Sequence, residues 1–322
     1  MRDHGGNLDW AVAEFGGALA DWIDLSTGIN PAPYPIGDIP AEAWAVLPRK
    51  STMARLCDIA ADCYGTTAAI APLAGATGAI QAVPYLRDRG TARVIGPTYN
   101  EHAAALRSAG WTVEMVTDLG ALTGADLAIV VNPNNPDGRC YASQDLLALA
   151  DRVGMLIVDE SFGDMRPDLT LCHHINNETQ NVIIERSFGK FYGLAGVRLG
   201  FAISGQSIID RLRDMAGPWP VSGPAIDVAC RALADRDWQA ATIARLNADC
   251  ARLDALATAR GWVPVGGEGL FRTYDTPDAA AAQNHLAGHK IWTRIFPYSD
   301  GWIRLGLPHG AAQWDRVAAA FA

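Results

Sequence analysis

Short apolar runs alternate with segments of helical periodicity between about residue 70 and about residue 205. The runs are β-branched and bounded by Gly, Pro or Asn, which predicts buried strands. They are ARVIG (92–96), LAIVV (127–131), MLIVDE (155–160), VIIER (182–186) and VRLGFAI (197–203). The predicted helices between them are GAIQAVPYLRDRG, NEHAAALRSAG and SQDLLALADRVG. This alternation predicts crossover units and an α/β fold, with helices on both faces of a mostly parallel sheet.

The rest of the chain has a different pattern. SGPAIDVACRALADRDWQAATIARLNADCARLDALATARG predicts one or two long helices, followed by strand candidates GLFRTYD, KIWTRIF and GWIRLGL and a final helix AAQWDRVAAAFA. The first 45 or so residues are rich in proline and are expected to be irregular. We therefore expect three parts: an N-terminal segment (1–45), a large domain (46–210) and a smaller α+β domain (211–322).

Composition and charge narrow the class of protein. The 322 residues are 49% hydrophobic and 19% charged, as in globular proteins. The net charge of −9 argues against nucleic acid or an anionic membrane as the main partner, although a local basic pocket for a small anion is compatible with it. No apolar run of about 18 residues occurs, and MRDHGGNLDW lacks the apolar core of a secretory signal. We expect a cytoplasmic protein.

The six cysteines are scattered and form no CxxC pair. In a chain of this length they indicate thiols in a reducing compartment, with no disulfide framework or zinc site. His285 and His289 lie four residues apart, but no third ligand is near them in the sequence, so no metal site is expected.

Lys190 lies among small and glycine residues in ERSFGKFYGLAGVRLGF. A P-loop is excluded, because Ile184 stands where its first glycine would be and Phe191 follows the lysine in place of Ser or Thr. LAGATGAIQA also lacks the GxGxxG spacing of a dinucleotide site. The remaining chemical interpretation is covalent, since a lysine amine can form a Schiff base with an aldehyde cofactor such as pyridoxal 5'-phosphate (PLP).

This cofactor needs a phosphate site, a carboxylate for its pyridine nitrogen and a donor for its ring oxygen. Asp159 ends an apolar strand, where a buried charge is costly without a cation such as the pyridinium. Asn135 in NPNNPDG can donate to the ring oxygen, and Tyr99 can stack on the ring. Backbone N–H groups, hydroxyls and an arginine are available for the phosphate. The phosphate candidates are Gly75, Ala76, Thr77, Ser187 and Arg198.

Each of these residues alone has an ordinary structural interpretation. Asp159 could be a strand-end acid, Asn135 a turn residue between prolines, and Tyr99 a packing residue. The hypothesis depends on their combination. Asn132, Asp159 and Ser187 each follow or end a predicted strand, and functional groups gather at the carboxyl ends of parallel strands.

NPNNPDG, VDESF, SFGKFYGLAGVRLGF and WIRLGL resemble motifs of the fold-type I PLP enzymes of the class I and II aminotransferase family. The resemblance covers roughly residues 20–322 and implies a three-layer large domain with a mostly parallel sheet, a smaller C-terminal domain and a homodimer. It implies Lys190 as the Schiff-base lysine, Asp159 as the partner of the pyridine nitrogen and Asn135 as the ring-oxygen donor. Ser187 and Arg198 would be phosphate ligands.

Two features narrow the resemblance to one branch. The opening HGGN (4–7) and WIDLSTGINPAPYP are similar to the start of the L-threonine-O-3-phosphate decarboxylases of cobalamin synthesis. Phe162 in DESF stands where many aminotransferases have a tyrosine. This implies PLP-dependent conversion of L-threonine O-3-phosphate to (R)-1-aminopropan-2-yl phosphate and CO2. A histidinol-phosphate or related aminotransferase, and a non-catalytic PLP-binding protein, stay open as alternatives.

The substrate would be a small phosphorylated amino acid with two anionic groups to anchor. Arg304 resembles the family's arginine that pairs with a substrate carboxylate, and Arg294 is a second candidate. His4 and Asn7 are candidates for a lid over the substrate, and Arg166 is a weaker candidate for its phosphate. The sequence leaves open which Cα bond breaks, which residue anchors the phosphate and what the HGGN segment does.

Two positions depart from the family pattern. Relatives often have a tyrosine near residue 47 that reaches the cofactor phosphate of the partner subunit, whereas this chain has Leu47. Asp137 stands where relatives tend to have Ser or Thr. The contacts across the expected dimer are therefore left open.

Overall fold

A computed structural model describes residues 5–322 and divides them into two compact units. The large unit comprises 34–135 and 139–238, and the small unit comprises 136–138, 239–322 and the residues up to 33. No helix among residues 5–322 has both the length and the apolar character needed to cross a bilayer.

The structure contains the following elements. The helices are α1 Leu8–Phe15, α2 Ala41–Ala45, α3 Lys50–Tyr64, α4 Ala76–Ala82, α5 Asn100–Ser108, α6 Ser143–Ala150, α7 Phe188–Phe191, α8 Gln206–Ala216, α9 Gly223–Ala234, α10 Arg236–Ala259, α11 Ala279–Gly288 and α12 Gly310–Phe321. The strands are β1 Ile23–Asp24, β2 Ala69–Ala74, β3 Thr91–Ile95, β4 Thr112–Val116, β5 Leu127–Val131, β6 Leu156–Asp159, β7 Val182–Ser187, β8 Leu199–Ser204, β9 Val263–Glu268, β10 Phe271–Asp275, β11 Ile291–Trp292, β12 Arg294–Phe296 and β13 Ser299–Leu305.

The large unit is built on a seven-stranded sheet with the order β2-β8-β7-β6-β5-β3-β4. β8 runs antiparallel to both of its neighbours, and the other pairs are parallel. The prediction of a mostly parallel α/β sheet is confirmed, and the five predicted strands are β3, β5, β6, β7 and β8. The sequence pattern missed β2 and β4, which are the two edge strands: β2 contains Pro72, and β4 is largely exposed.

Apolar side chains from α4, α5 and α8 pack on one face of this sheet. Leu106 of α5 and Ile209 of α8 are both buried against sheet residues such as Ile129, Ile157 and Ile183. The strands at the centre of the sheet are buried along their whole length. The helices that pack there cover the central strands, so the polar residues at the strand ends lie beside a buried apolar core.

The predicted domain limits at 45/46 and 210/211 differ from the limits of the compact units. α9 lies in the segment that was expected to belong to the C-terminal domain, but it packs on α2 and α3 within the large unit. The domain boundaries at 45/46 and 210/211 stay a prediction.

The small unit contains an antiparallel sheet with the order β12-β13-β10-β9 and a parallel pair of β1 with β11. The predicted strands and the final helix are present, and the long helical stretch is two helices, α9 and α10. The expectation of an irregular N-terminal segment is wrong for α1 and α2. α1 buries Ala11 against Trp22 and Trp292, so distant tryptophans stabilise a helix that is too short to show a clear periodic pattern.

Candidate active site

Asp159 ends β6 at the carboxyl edge of the large sheet, and its side chain is buried. The Ser161 N–H donates to Oδ1 at 2.9 Å, and Nε2 of His102 lies 2.8 Å from Oδ2. Burial raises the pKa of Asp159, but the hydrogen bonds from His102 and Ser161 outweigh it and leave the pKa below its usual value. The structure therefore holds a carboxylate, in its charged form, at the position predicted to face a pyridinium.

His102 lies on α5, three residues after Tyr99, and is buried. Burial lowers the pKa of its imidazole, whereas the hydrogen bond to Asp159 and the charges of Glu185 and Asp159 raise it further than burial lowers it. The net result is a raised pKa, which favours an imidazolium donating to Asp159. Sequence reasoning missed His102, because nothing in NEHAAALRSAG distinguishes a histidine that faces a carboxylate from one that packs in the core.

Lys190 lies on the short helix α7, which follows β7 directly. Its Nζ lies 5.6 Å from the centroid of the Phe162 ring. Phe162 lies in the loop that follows Asp159. A side chain at Gly189 would meet Cα of Ala195 at 2.7 Å, so the turn that presents the lysine requires glycine next to it. The lysine amine is thereby brought to the same edge of the sheet as Asp159.

Gly75, at the start of α4, packs against the guanidinium of Arg198. A Cβ at Gly75 would lie 2.7 Å from Nη2 of Arg198, and the backbone of Gly75 has a φ of +73°. Gly200 approaches the backbone of Gly75 and Ala76 closely, and Ser187 is its register partner on β7. The close approaches of Gly75 and Gly200 thus bring the start of α4, with Ala76 and Thr77, next to Arg198 and to the end of β7 at Ser187, and the roles of these residues as phosphate ligands stay a prediction.

Amide side chains fix the turn NPNNPDG after β5. Asn132 exchanges two hydrogen bonds with the backbone of Tyr141, at 3.0 and 2.9 Å. Nδ2 of Asn134 donates to the Pro97 carbonyl at 2.9 Å, and the hydroxyl of Thr98 donates to its Oδ1 at 2.6 Å. Asn135 is the next residue and is only half-buried. The turn is therefore tied to the loop that carries Tyr99, and the role of Asn135 as a ring-oxygen donor stays a prediction.

Tyr99 lies beside the His102–Asp159 pair. Its ring meets the His102 ring edge to face, with centroids 6.2 Å apart. Burial, aided by the charges of Glu101 and Asp159, raises the pKa of the Tyr99 phenol to about 12. The side chain is therefore a neutral aromatic ring at physiological pH, as stacking on a cofactor would require.

In the small unit, Arg294 and Arg304 are register partners on β12 and β13 and point to the same side of the sheet. Arg304 is buried, and its Nη2 donates to the Ser26 carbonyl at 2.6 Å. Burial, and then the charge of Arg294, lower the pKa of Arg304 to about 10. Two adjacent guanidinium groups disfavour each other's charge, so this pair is suited to bind an anion.

The remaining candidates have other contacts. The Asn7 side chain accepts from the Trp10 N–H at 3.3 Å and caps α1. Arg166 forms an ion pair with Asp168 at 2.8 Å, on the surface. His4 lies outside the described residues. The structure gives Asn7 and Arg166 structural roles, and their roles toward a substrate stay predictions.

We compared the chain with known protein families, with curated proteins and with solved structures. Residues 48–321 match the family model described as aminotransferase class I and II. The chain is 42% identical, over 99% of its length, to a threonine-phosphate decarboxylase from Sinorhizobium sp and to one from Pseudomonas aeruginosa, in each case covering 97% of the relative. A histidinol-phosphate aminotransferase structure from Clostridium acetobutylicum shares the fold, with a TM-score of 0.81, 19% identity and coverage of 92% of this chain and 97% of that one. The chain belongs to the class I and II aminotransferase family.

Proposed function

We propose that this chain decarboxylates L-threonine O-3-phosphate to (R)-1-aminopropan-2-yl phosphate and CO2, a step of cobalamin synthesis, with PLP as cofactor. The observation that carries this function is the 42% identity, over nearly the full length of both chains, to two relatives that are named threonine-phosphate decarboxylases. Phe162 adds support, since it stands where many aminotransferases have a tyrosine and where the decarboxylase branch resembles this chain in having phenylalanine.

The residues of the large unit fit PLP. A buried carboxylate with a low pKa suits a protonated pyridine nitrogen, and the start of α4 at Gly75, beside the Arg198 guanidinium, suits a phosphate. PLP held here would supply an aldehyde for the substrate amine and a ring that accepts electrons from the Cα bond to be broken. The residues that would hold it are Lys190 at the aldehyde, Asp159 at the ring nitrogen, Asn135 at the ring oxygen, Tyr99 at the ring face, and Gly75, Ala76, Thr77, Ser187 and Arg198 at the phosphate.

The charges of protein residues, and the orientation in which they hold the substrate, decide which Cα bond breaks. Asp159 would keep a proton on the ring nitrogen, because its own pKa is held low by His102 and Ser161. The Lys190 amine would supply the proton that takes the place of CO2 at the reacting carbon. Arg304 and Arg294 would hold the carboxylate and the phosphate of the substrate, with Asn135, Asn7 and His4 as further contacts. The orientation that they impose selects loss of CO2 over loss of a proton.

Product analysis tests this function directly. PLP-loaded protein is incubated with O-phospho-L-threonine and no amino acceptor, and the products are identified by mass spectrometry. Aminopropanol phosphate that accumulates over many turnovers supports the decarboxylase. A single turnover to a keto acid would instead indicate an aminotransferase, and histidinol phosphate with 2-oxoglutarate would then be the substrate pair to test.

Two variants complete the test. Lys190→Ala is expected to abolish turnover and the visible absorption of the bound cofactor, whereas Lys50→Ala, which changes an exposed lysine on α3, should behave as the wild type. A Lys190→Ala protein with full activity would contradict the cofactor assignment. Bound PLP with no turnover of either substrate would indicate a non-catalytic binding protein.

We infer that the chain forms a homodimer and acts in the cytoplasm. An exposed apolar patch lies just before α3, where Trp44 is 70% and Leu47 is 61% exposed. A cavity of about 250 Å³ adjoins it, lined in part by Leu47, Arg55 and Ile226. Burial of such a patch in a partner is energetically favourable. Light scattering of the wild type and of Leu47→Glu would measure the molar mass in solution, which should be lower for Leu47→Glu.

The inferred cytoplasmic location rests on the cysteines. Six free cysteines fit a reducing compartment.

A further inference from the structure

Glu185 is a carboxyl group buried in the large sheet. It lies on β7 as the register partner of Asp159 on β6, and its exposed fraction is 0%. Neither side-chain oxygen has a hydrogen-bond partner among the residues that the structure describes. A buried polar group without a partner costs free energy, so its presence calls for an explanation.

The imidazole of His102 lies close to two carboxyl groups. Its Nε2 is 2.8 Å from Oδ2 of Asp159 and 3.9 Å from Oε2 of Glu185. These three side chains are of the types that bind metals, but a metal would need an unprotonated Nε2, whereas the hydrogen bond to Asp159 needs the proton there. The cluster is therefore suited to holding protons.

Few other charged groups face this cluster. Glu101 is the other ionisable residue of the α5 first turn and raises the pKa of His102. α4 and β8 also contact β7 and contain no ionisable residue. Arg186, the next residue on β7, pairs with Glu160 and Asp164. The protonation of Glu185 is thus governed by burial and by the His102–Asp159 pair.

Charge balance indicates that Glu185 is neutral in the chain by itself. Burial, opposed by His102 and reinforced by Asp159, raises the pKa of Glu185 to about 8. A protonated His102 and an ionised Asp159 already cancel, so an ionised Glu185 would leave a buried net charge of about −1. A cation placed next to Asp159 would change this balance and favour the ionised form.

We propose that Glu185 is a positioning residue that gives up its proton when the protonated pyridine ring of PLP binds at Asp159, so that the charges of two neighbouring carboxylates favour the proton on the ring nitrogen. The carboxyl O–H bond breaks, its proton passes to solvent, and the ring keeps the proton with which it arrived. This assignment deepens the proposed function and rests on it, because PLP is the cation-bearing ligand.

Infrared difference spectroscopy tests the proton on Glu185 directly. Full-length protein freed of PLP is compared with the same protein after PLP is added, near pH 7. We expect the carbonyl stretching band of one protonated carboxyl group to disappear on binding in the wild type. The band should be absent throughout in Glu185→Gln and in the similarly sized Glu185→Met. Glu268→Gln, which changes a buried glutamate of the small unit, should behave as the wild type.

Cofactor affinity gives a second readout that does not depend on turnover. Because binding releases a proton, the affinity of the wild type relative to Glu185→Gln should rise with pH, by up to about tenfold per pH unit below pH 8. PLP that binds without loss of the carbonyl band, or with the same pH dependence in both proteins, would overturn the assignment. Loss of the band together with no decarboxylation would contradict the proposed reaction alone, and a failure to bind PLP would overturn both.

Discussion

At the scale of single residues, the charge on Asp159 depends on one donor more than on any other. The carboxyl group of Asp159 is buried, and the hydrogen bond that it accepts from His102 offsets much of the cost of burying a carboxylate. The same hydrogen bond fixes the orientation of the carboxyl group. A cofactor that is bound through its ring nitrogen therefore depends on His102, a residue that the motifs of the sequence do not include.

Replacement of His102 by leucine should weaken the binding of PLP. Loss of a hydrogen bond to a charged group costs about 1.5–3 kcal/mol, which corresponds to a decrease in affinity of roughly ten- to a hundredfold. The affinity for PLP is measured by titrating the cofactor-free protein with PLP and following the protein fluorescence. His309→Leu, at an exposed histidine before α12, is the control. Equal affinities for the two variants would argue against a role for His102.

Arg304 is the residue whose loss should act on substrate binding. Arg304→Ala should raise KM by roughly ten- to a hundredfold, because a charge-assisted pair with a substrate carboxylate contributes about 1.5–3 kcal/mol. Steady-state kinetics with O-phospho-L-threonine measure the change, and circular dichroism checks the fold, since Arg304 is buried. Arg316→Ala, at an exposed arginine of α12, is the matched control. An unchanged KM in Arg304→Ala would place the carboxylate site elsewhere.

At the scale of elements, strand ends and the turns that follow them build the site. β6 ends at Asp159, β7 runs directly into the helix that carries Lys190, and the turn after β5 is fixed by Asn132 and Asn134. The antiparallel strand β8 begins next to Gly75, to which it is bridged through Leu199. Parallel strands bring their carboxyl ends to one edge, so residues far apart in the chain become neighbours there.

The turn at Gly75 disfavours a side chain. Gly75→Ala should destabilise the protein by about 1–3 kcal/mol, because its φ of +73° is strained for alanine and the added Cβ would displace Arg198. PLP affinity should fall as well. Gly196→Ala is the control, since nothing lies within 4 Å of a Cβ at that position. Denaturant unfolding measures both proteins, and equal stabilities would show that the turn can relax.

At the scale of the whole molecule, the buried cluster links stability to pH. The pKa of Glu185 is about 8 in the folded chain and 4.5 when unperturbed, so the folded state binds more protons between these values. The stabilisation from this group is complete below about pH 4.5 and is lost as the pH rises through about 8. Stability of the cofactor-free protein should therefore fall over this range relative to Glu185→Gln.

Denaturant unfolding of both proteins at several pH values between about 5 and 9 measures this dependence. The difference between wild type and Glu185→Gln removes contributions from the other ionisable groups that the two proteins share. Parallel stability curves for the two proteins would mean that Glu185 titrates normally.

The sequence by itself determined the central strands of the large sheet, the alternation of strands and helices, and the family. Buried strands such as LAIVV are apolar along their whole length, and the motif around Lys190 is local, so neither needs tertiary information. The edge strands β2 and β4 and the helix α1 were missed, since each is stabilised by neighbours more than by its own pattern.

Only the tertiary structure decided which polar groups meet. Glu185 was visible as a charged residue within an apolar strand, but its pairing with Asp159 and His102 comes from the register of β6 and β7 and from the packing of α5. The pairing of Arg294 with Arg304 likewise comes from the register of β12 and β13. Hydrogen bonds and charge interactions act over a few ångströms, and the distances between residues far apart in sequence are set by the packing of the core.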